Sequence, residues 1–183
     1  MSFSIVNQSV FDTQSDAFVN TVNCVGAMGA GIALEFKKRY PKMFEDYQIQ
    51  CKEKLIRPGD CYVYFDAEHH VYLLGLAVKN DWHHWSTLDW IEGSLKSLKL
   101  VILENDIKSV NMPLPGGMNG RRGPYGKVEG MIPPPSNHED IKSIVRRDLE
   151  KFSDKFNVDI KLCIPDKIHK KKELDLTQFL EIT

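Results

Sequence analysis

Short apolar runs alternate with helical stripes along this chain. Residues 3–6 and 17–22 read as strands, and the second, apolar through most of its length, reads as a central one. From residue 31 the period changes. Phe36, Tyr40, Phe44 and Tyr47 recur about one turn apart, which predicts a helix over 31–52 that kinks or restarts at Pro41. A turn at Arg57-Pro58-Gly59-Asp60 leads into strands over 61–65 and 71–78, a hairpin. Ile91, Leu95, Leu98 and Ile102 form the stripe of a second helix, with Ser86 as its expected cap and Asp89 three residues on. A strand over 109–114, a third helix striped by Ile141, Ile144, Val145, Leu149 and Phe152, and a last strand over 158–164 complete the pattern. Ser136 and Glu139 repeat the capping signature before that helix. Alternating strands and helices with one inserted hairpin predict an α/β fold of three layers, helices on both faces of a mixed sheet. One domain is expected over 1–165, with 166–183 as a tail that trails it or packs on it.

Between the second strand and the first helix, glycines become frequent and large side chains scarce, in Asn20-Thr21-Val22-Asn23-Cys24-Val25-Gly26-Ala27-Met28-Gly29-Ala30-Gly31. Glycine lets a ligand approach the backbone, and a helix start presents N–H groups and a positive dipole end. Strand, glycine loop and helix together suit a phosphate or diphosphate. The G-x-x-G-x-G spacing by itself fits a tight turn without ligand equally well. Ligands in such sheets bind outside the carboxyl ends of strands. The 20–31 loop, Lys79 and the Pro115–Gly120 loop each follow a strand directly, so one crevice can collect all three.

Composition narrows the classes. The 183 residues fit one domain, and 42% hydrophobic with 27% charged is an ordinary globular balance. A formal net charge of −1 argues against broad electrostatic binding to nucleic acid, though not against one nucleotide or a short modified strand. The first residues, MSFSIVNQSV, lack the basic and long apolar regions of a secretory signal, and no apolar run reaches membrane-spanning length. Cys24, Cys51, Cys61 and Cys163 make no C-x-x-C pair and read as free thiols of a reducing cytoplasm. No His and Cys spacing suggests a metal site, and no cofactor motif stands out. A kinase-type P-loop is absent.

The run from Val19 to Gly26, with Met28-Gly29-Ala30-Gly31-Ile32-Ala33, resembles the macrodomain family, whose members bind ADP-ribose. It is most similar to the branch of DNA ADP-ribosyl glycohydrolase antitoxins and the terminal ADP-ribose glycohydrolase. Leu76-Ala77-Val78-Lys79, with Trp82 and a helix carrying Leu88, Ile91, Glu92, Gly93 and Leu95, matches the antitoxin branch too. The resemblance covers about residues 3–164. It implies a three-layer macrodomain and assigns Lys79 as the group that attacks C1″ of the distal ribose. Asn23 would orient that ribose. Backbone N–H groups of Gly29, Ala30, Gly31 and Ile32 would hold the diphosphate, with Asn20, Gly26 and Met28 in the same wall. Gly116, Gly117, Met118, Asn119 and Gly120 would cover it from the other side. Taken alone, Lys79 reads first as a surface lysine at a strand end, and the other reading of Asn23 is a turn residue using its own backbone.

Two stretches depart from the family pattern. Gln8-Ser9-Val10 stands where the family has Gly-Asp-Ile or Gly-Asp-Leu, so Ser9 and Val10 would meet adenine without a carboxylate. The second loop, Pro115 to Gly123, lacks the acid that assists the lysine in related hydrolases; Asp81, Asp89 and Glu129 are the candidate substitutes. Trp82-His83-His84-Trp85 offers rings for base stacking or a histidine for proton transfer, or simply a cover for the core. Arg121-Arg122 reads as a phosphate clamp or a solvated pair. The expected activity is hydrolytic removal of ADP-ribose from a modified macromolecule, DNA or RNA before protein, with a cognate ADP-ribosyltransferase toxin as a partner and no membrane. The alternatives are a non-catalytic ADP-ribose reader and an ADP-ribose 1″-phosphate phosphatase.

Overall fold

The computed structural model describes residues 2–116 and 138–165. Among them run β1 (Phe3–Val6), β2 (Ala17–Asn23), α1 (Gly31–Arg39), α2 (Pro41–Lys52), β3 (Cys61–Asp66), β4 (Val71–Lys79), α3 (Leu88–Glu104), β5 (Ser109–Pro113), α4 (His138–Phe156) and β6 (Asp159–Cys163). The strands form one sheet in the order β1-β6-β5-β2-β4-β3. Neighbours are parallel throughout, except that β3 runs antiparallel to β4. Parallel neighbours need a crossover between them, which here carries helices, so both sheet faces are covered. Their carboxyl ends therefore share one edge. β4 is buried from Leu73 to Val78, as a strand covered on both faces must be. β3 at the margin instead alternates, with Val63 and Phe65 exposed.

Two cores result. α3 and α4 cover one face with Ile91, Leu95, Leu98, Ile102, Val145 and Leu149, packed on Val19, Leu74, Leu76, Val110 and Ile160. That core is almost wholly aliphatic. α1 and α2 cover the other face with Phe36, Met43, Tyr47 and Cys51, packed on Val22, Leu73, Ala77 and Tyr62. This second core carries aromatic rings and hydroxyls, and every buried hydroxyl needs a partner.

The first helical stripe is two helices. Tyr40 leaves the helical region at φ −129° and ψ 69°, and Pro41 opens α2, where its missing N–H costs nothing. The expected cap of α3 is displaced by one residue. Thr87, not Ser86, takes the extended cap conformation, and its Oγ1 accepts from Trp90 N at 3.3 Å. The apolar stripe from Ile91 to Ile102 fixes the helix phase. Ser86 lies buried before it, with no partner for its hydroxyl among the described residues. The Ser136–Glu139 capping signature, the 121–135 segment with Glu129, and the 166–183 tail lie outside what is described, as do the side chains of 138–140. No described helix is long and apolar enough to cross a membrane.

Candidate active site

Three strand ends meet. β5, β2 and β4 are adjacent and parallel, so Pro113, Asn23 and Lys79 finish at the same edge. Asn23 is the register partner of Lys79, after a shift between Val22 and Asn23. Cys24 N donates to Asn80 O at 3.0 Å and carries the pairing past both strands.

Asn23 builds the loop that follows it. Its Oδ1 accepts from Val25 N at 3.0 Å and from Ala27 N at 3.2 Å, and its Nδ2 donates to Ala27 O at 2.7 Å. The hydroxyl of Tyr47, buried in α2, shares its one proton between the Asn23 carbonyl and Oδ1. Burial is the main cause that pushes this phenol far above the usual range, so it stays a donor. Gly26 turns the chain at φ +77°, a conformation that suits glycine, and its carbonyl accepts from Gln48 Nε2. The side chain of Asn23 thus acts first as the loop's internal frame. Among the described residues, its amide nitrogen has one acceptor, Ala27 O.

Asn20 is 2% exposed, Nδ2 contacts Met28 Sδ at 3.8 Å, and Oδ1 has no partner among the described residues. Met28 itself is buried in the α1–α2 core. Both side chains are buried and in contact with each other. Gly29 and Ala30, by contrast, are exposed and open directly into α1. Ala30 is the cap residue, extended, with no side-chain hydrogen bond to the helix, and no acidic residue stands in the first turn. The first helical bond runs from Leu34 N to Ala30 O, so the N–H groups of Gly31, Ile32 and Ala33 have no acceptor within the helix. Such a start is a ready anion site.

Ser9 and Val10 follow β1 at the same edge. Ser9 N donates to Asp12 Oδ2 at 2.8 Å, and Ser9 Oγ accepts from Phe11 N. Val10 is buried, and its carbonyl accepts from Asn111 Nδ2 at 3.0 Å, which also donates to Thr13 O at 2.9 Å. Asn111, buried in β5, therefore ties this loop to the sheet centre. Asn111 and Tyr47 are both positioning residues that pattern reading misses. An asparagine inside an apolar strand is a signal for the first. The second sits in a helical stripe like any core residue.

Lys79 is half-buried, and desolvation lowers its ammonium pKa below the ordinary value. A lowered pKa is what an amine nucleophile needs. Of the candidate acids, Asp81 lies two residues on, held by His83 N at 3.0 Å and His83 Nδ1 at 2.7 Å. The backbone N–H of His83 is the main cause that keeps the Asp81 carboxyl below the usual range. Asp89 is exposed in the first turn of α3. Trp82 is also exposed. Cys24 beside the loop is no rival nucleophile: burial first, then Cys51 and Asp60, push its thiol up to about 12. Just past β5, Gly116 has φ +71°, and a Cβ there would stand 2.7 Å from Ile91 Cδ1. Gly117, Met118, Asn119 and Gly120 lie outside the described residues.

Residues 19–120 match the family model for the Macro domain. The chain is 42% identical over 110 residues to a DNA ADP-ribosyl glycohydrolase of Mycobacterium tuberculosis, a match that covers 58% of this chain and 31% of the relative. It is 26% identical over 137 residues to a DNA ADP-ribosyl transferase-DNA ADP-ribosyl glycohydrolase fusion protein of Thermosipho africanus, across 65% of this chain and 35% of the relative. The chain thus spans about a third of the length of these relatives. Among solved structures, it superposes on the macrodomain of Mycobacterium tuberculosis DarG with a TM-score of 0.75 and 31% identity, over 90% of this chain and 98% of that one.

Proposed function

The chain belongs to the Macro domain family, and on that premise we propose that it binds ADP-ribose and hydrolytically removes it from modified nucleic acid, DNA in the first place. The single observation that carries the binding half is the uncapped start of α1. Three N–H groups and a positive dipole end stand at the edge where β2, β4 and β5 finish, and the diphosphate of ADP-ribose supplies the missing acceptors. Names of relatives at up to 42% identity supply the hydrolase half and the DNA acceptor.

In the proposed chemistry, Lys79 reacts as the neutral amine. Its Nζ lone pair attacks C1″ of the distal ribose. The bond from C1″ to the acceptor breaks, and its electron pair leaves with the acceptor atom, which takes up a proton. Nζ sheds its own proton to solvent. Water then attacks C1″, the C1″–Nζ bond breaks with its electron pair on Nζ, and a proton of the water returns to Nζ, which releases ADP-ribose and restores the amine. Burial of Lys79 favours the first step by disfavouring the ammonium. Asn23 keeps the loop in place and offers its remaining amide N–H to the ribose. Ser9, at the β1 end, faces adenine with a hydroxyl and no carboxylate. The cognate partner is an ADP-ribosyltransferase, a reading supported by the Thermosipho africanus relative in which both activities carry one name. Four free cysteines fit a reducing compartment such as the cytoplasm.

Release of ADP-ribose from ADP-ribosylated single-stranded DNA, by the wild type and by Lys79→Ala, is the test. Unchanged release by the variant ends the lysine mechanism. The acid missing between Pro115 and Gly123 favours a second reading, a binder without turnover. Calorimetric binding of ADP-ribose with no release from any modified substrate selects it.

A further inference from the structure

A second space adjoins the strand ends. A cavity of about 720 Å³ lies beside residues 24–26, within the size range of small-ligand sites. Cys24 and Asn80, the bridged pair just past β2 and β4, form part of its wall. The rest of the lining comes from α2 and the chain that follows it, with Lys52, Lys54 and Arg57. All three are exposed, and the cavity lining holds no carboxylate. Among the described residues, none of the three cations is in an ion pair. In a chain of net charge −1 this is a local concentration, not a general property. Val25, 49% exposed, adds an apolar surface beside Cys24.

Helix chemistry accounts for part of this. Lys52 in the last turn and Lys54 beyond it complement the negative end of the α2 dipole, which amounts to about half a charge. Three cations exceed that, and Arg57 stands past the helix. Lys54 is also an unusual choice. Its N–H bonds to Cys51 O and the next N–H to Gln50 O, which makes it the left-handed residue of a Schellman stop, at φ +56°. Glycine suits that position better, so a lysine there keeps its charge at a conformational cost.

We infer that this cavity is the acceptor-strand site, where the phosphate backbone of single-stranded nucleic acid runs between Val25 and the cations Lys52, Lys54 and Arg57. The inference rests on the proposed function: a strand whose modified unit reaches Lys79 and Asn23 passes Asn80 and Cys24, and the cavity begins there. Cations along a groove with an apolar surface beside them are the usual means of holding a single strand.

The test needs no catalysis. Fluorescence anisotropy of a labelled, unmodified single-stranded DNA is measured with the full chain, beside calorimetry of ADP-ribose with the same protein. Wild type is expected to bind the DNA in a salt-dependent way. Lys52→Glu/Lys54→Glu/Arg57→Glu is expected to weaken it at least about ten-fold and to cut the slope of log Kd against log salt by about 2. ADP-ribose affinity is expected to stay unchanged. Equal DNA affinity in variant and wild type overturns the inference, as does absence of wild-type binding at low salt. Polyglutamate that binds as tightly as DNA also overturns it, in favour of an acidic protein acceptor. Lys54→Gly separates charge from capping. It should lower DNA affinity about two- to five-fold while Tm holds or rises, because glycine relieves the left-handed conformation. Unchanged DNA affinity in Lys54→Gly assigns the lysine to the helix end alone and contradicts the inference. If the wild type binds DNA through these residues yet releases no ADP-ribose, the hydrolase proposal fails and the cavity assignment stands.

Discussion

α1 and α3 both begin at the edge where the parallel strands end, and they are finished differently. α3 follows β4 with Thr87 as a capping side chain and Asp89 in its first turn. α1 follows β2 with Ala30, which has no side-chain oxygen, and with no acid in its first turn. Both starts sit in comparable topological places, so the fold does not require the difference. A cap contributes about 1 kcal/mol to a helix. α1 forgoes that contribution and leaves exposed glycine and alanine at the opening. Under the proposed function, the start left unfinished is the one that an external anion completes.

The largest effect should fall on the chemistry that the open start serves. Lys79→Ala should lower release of ADP-ribose from modified DNA by on the order of 10³-fold, while calorimetry shows ADP-ribose affinity changed only a few-fold. Closing α1 the way α3 is closed comes next. Ala30→Asp should weaken ADP-ribose binding about 10- to 100-fold by placing a carboxylate where the diphosphate sits, and the same variant should gain about 1 kcal/mol in thermal or urea unfolding. Gly116→Ala acts through its packing on Ile91 of α3. A left-handed backbone and a Cβ only 2.7 Å from Ile91 Cδ1 predict a loss of about 1–3 kcal/mol in urea unfolding. Opening α3 the way α1 is open is the mildest change. Thr87→Ala should cost about 1 kcal/mol and leave ADP-ribose affinity unchanged. Loss of affinity in Thr87→Ala would mean that the two starts do not have separate jobs.

A pH profile sharpens the role of Lys79. Its folded pKa lies below the value of 10.5 ordinary for lysine, because burial disfavours the ammonium. The reactive form is the neutral amine, so kcat/KM for release should rise with pH and level off below 10.5. Between the lowered and the ordinary value the unfolded chain binds more protons than the folded one, so this group adds stability as pH rises through that window. Lys79→Met should remove both dependences. A profile that falls with rising pH would contradict the neutral amine as the reactive form.

Much of this architecture is legible in the residues. Runs at 3–6, 17–22 and 71–78 lie within a residue of the strands; β2 and β4, inside the sheet, are buried along most of their length, whereas β1 at the margin leaves Ile5 exposed. The convergence of Asn23, Lys79 and Pro113 follows from parallel strands alternating with helices, which puts every carboxyl end on one edge. The cap of α3 is less legible, since Ser86 and Thr87 are chemically equivalent candidates and only helix phase against the core decides between them. Least legible is what holds the loops. Tyr47 grips Asn23 from 24 residues away, and Asn111 grips Val10 from 101. Periodicity assigns both to the core, and only packing shows which atoms they hold. Asn20 and Met28 add a property that the motif does not carry: both side chains are buried.

The most direct measurement follows the backbone amides themselves. ADP-ribose is titrated into isotope-labelled protein while amide resonances are recorded at both helix starts. Gly31, Ile32 and Ala33 should shift in a saturable way, with Leu88, Asp89 and Trp90 unmoved. Saturable binding that leaves Gly31, Ile32 and Ala33 untouched would contradict the assignment of the open helix start as the diphosphate site.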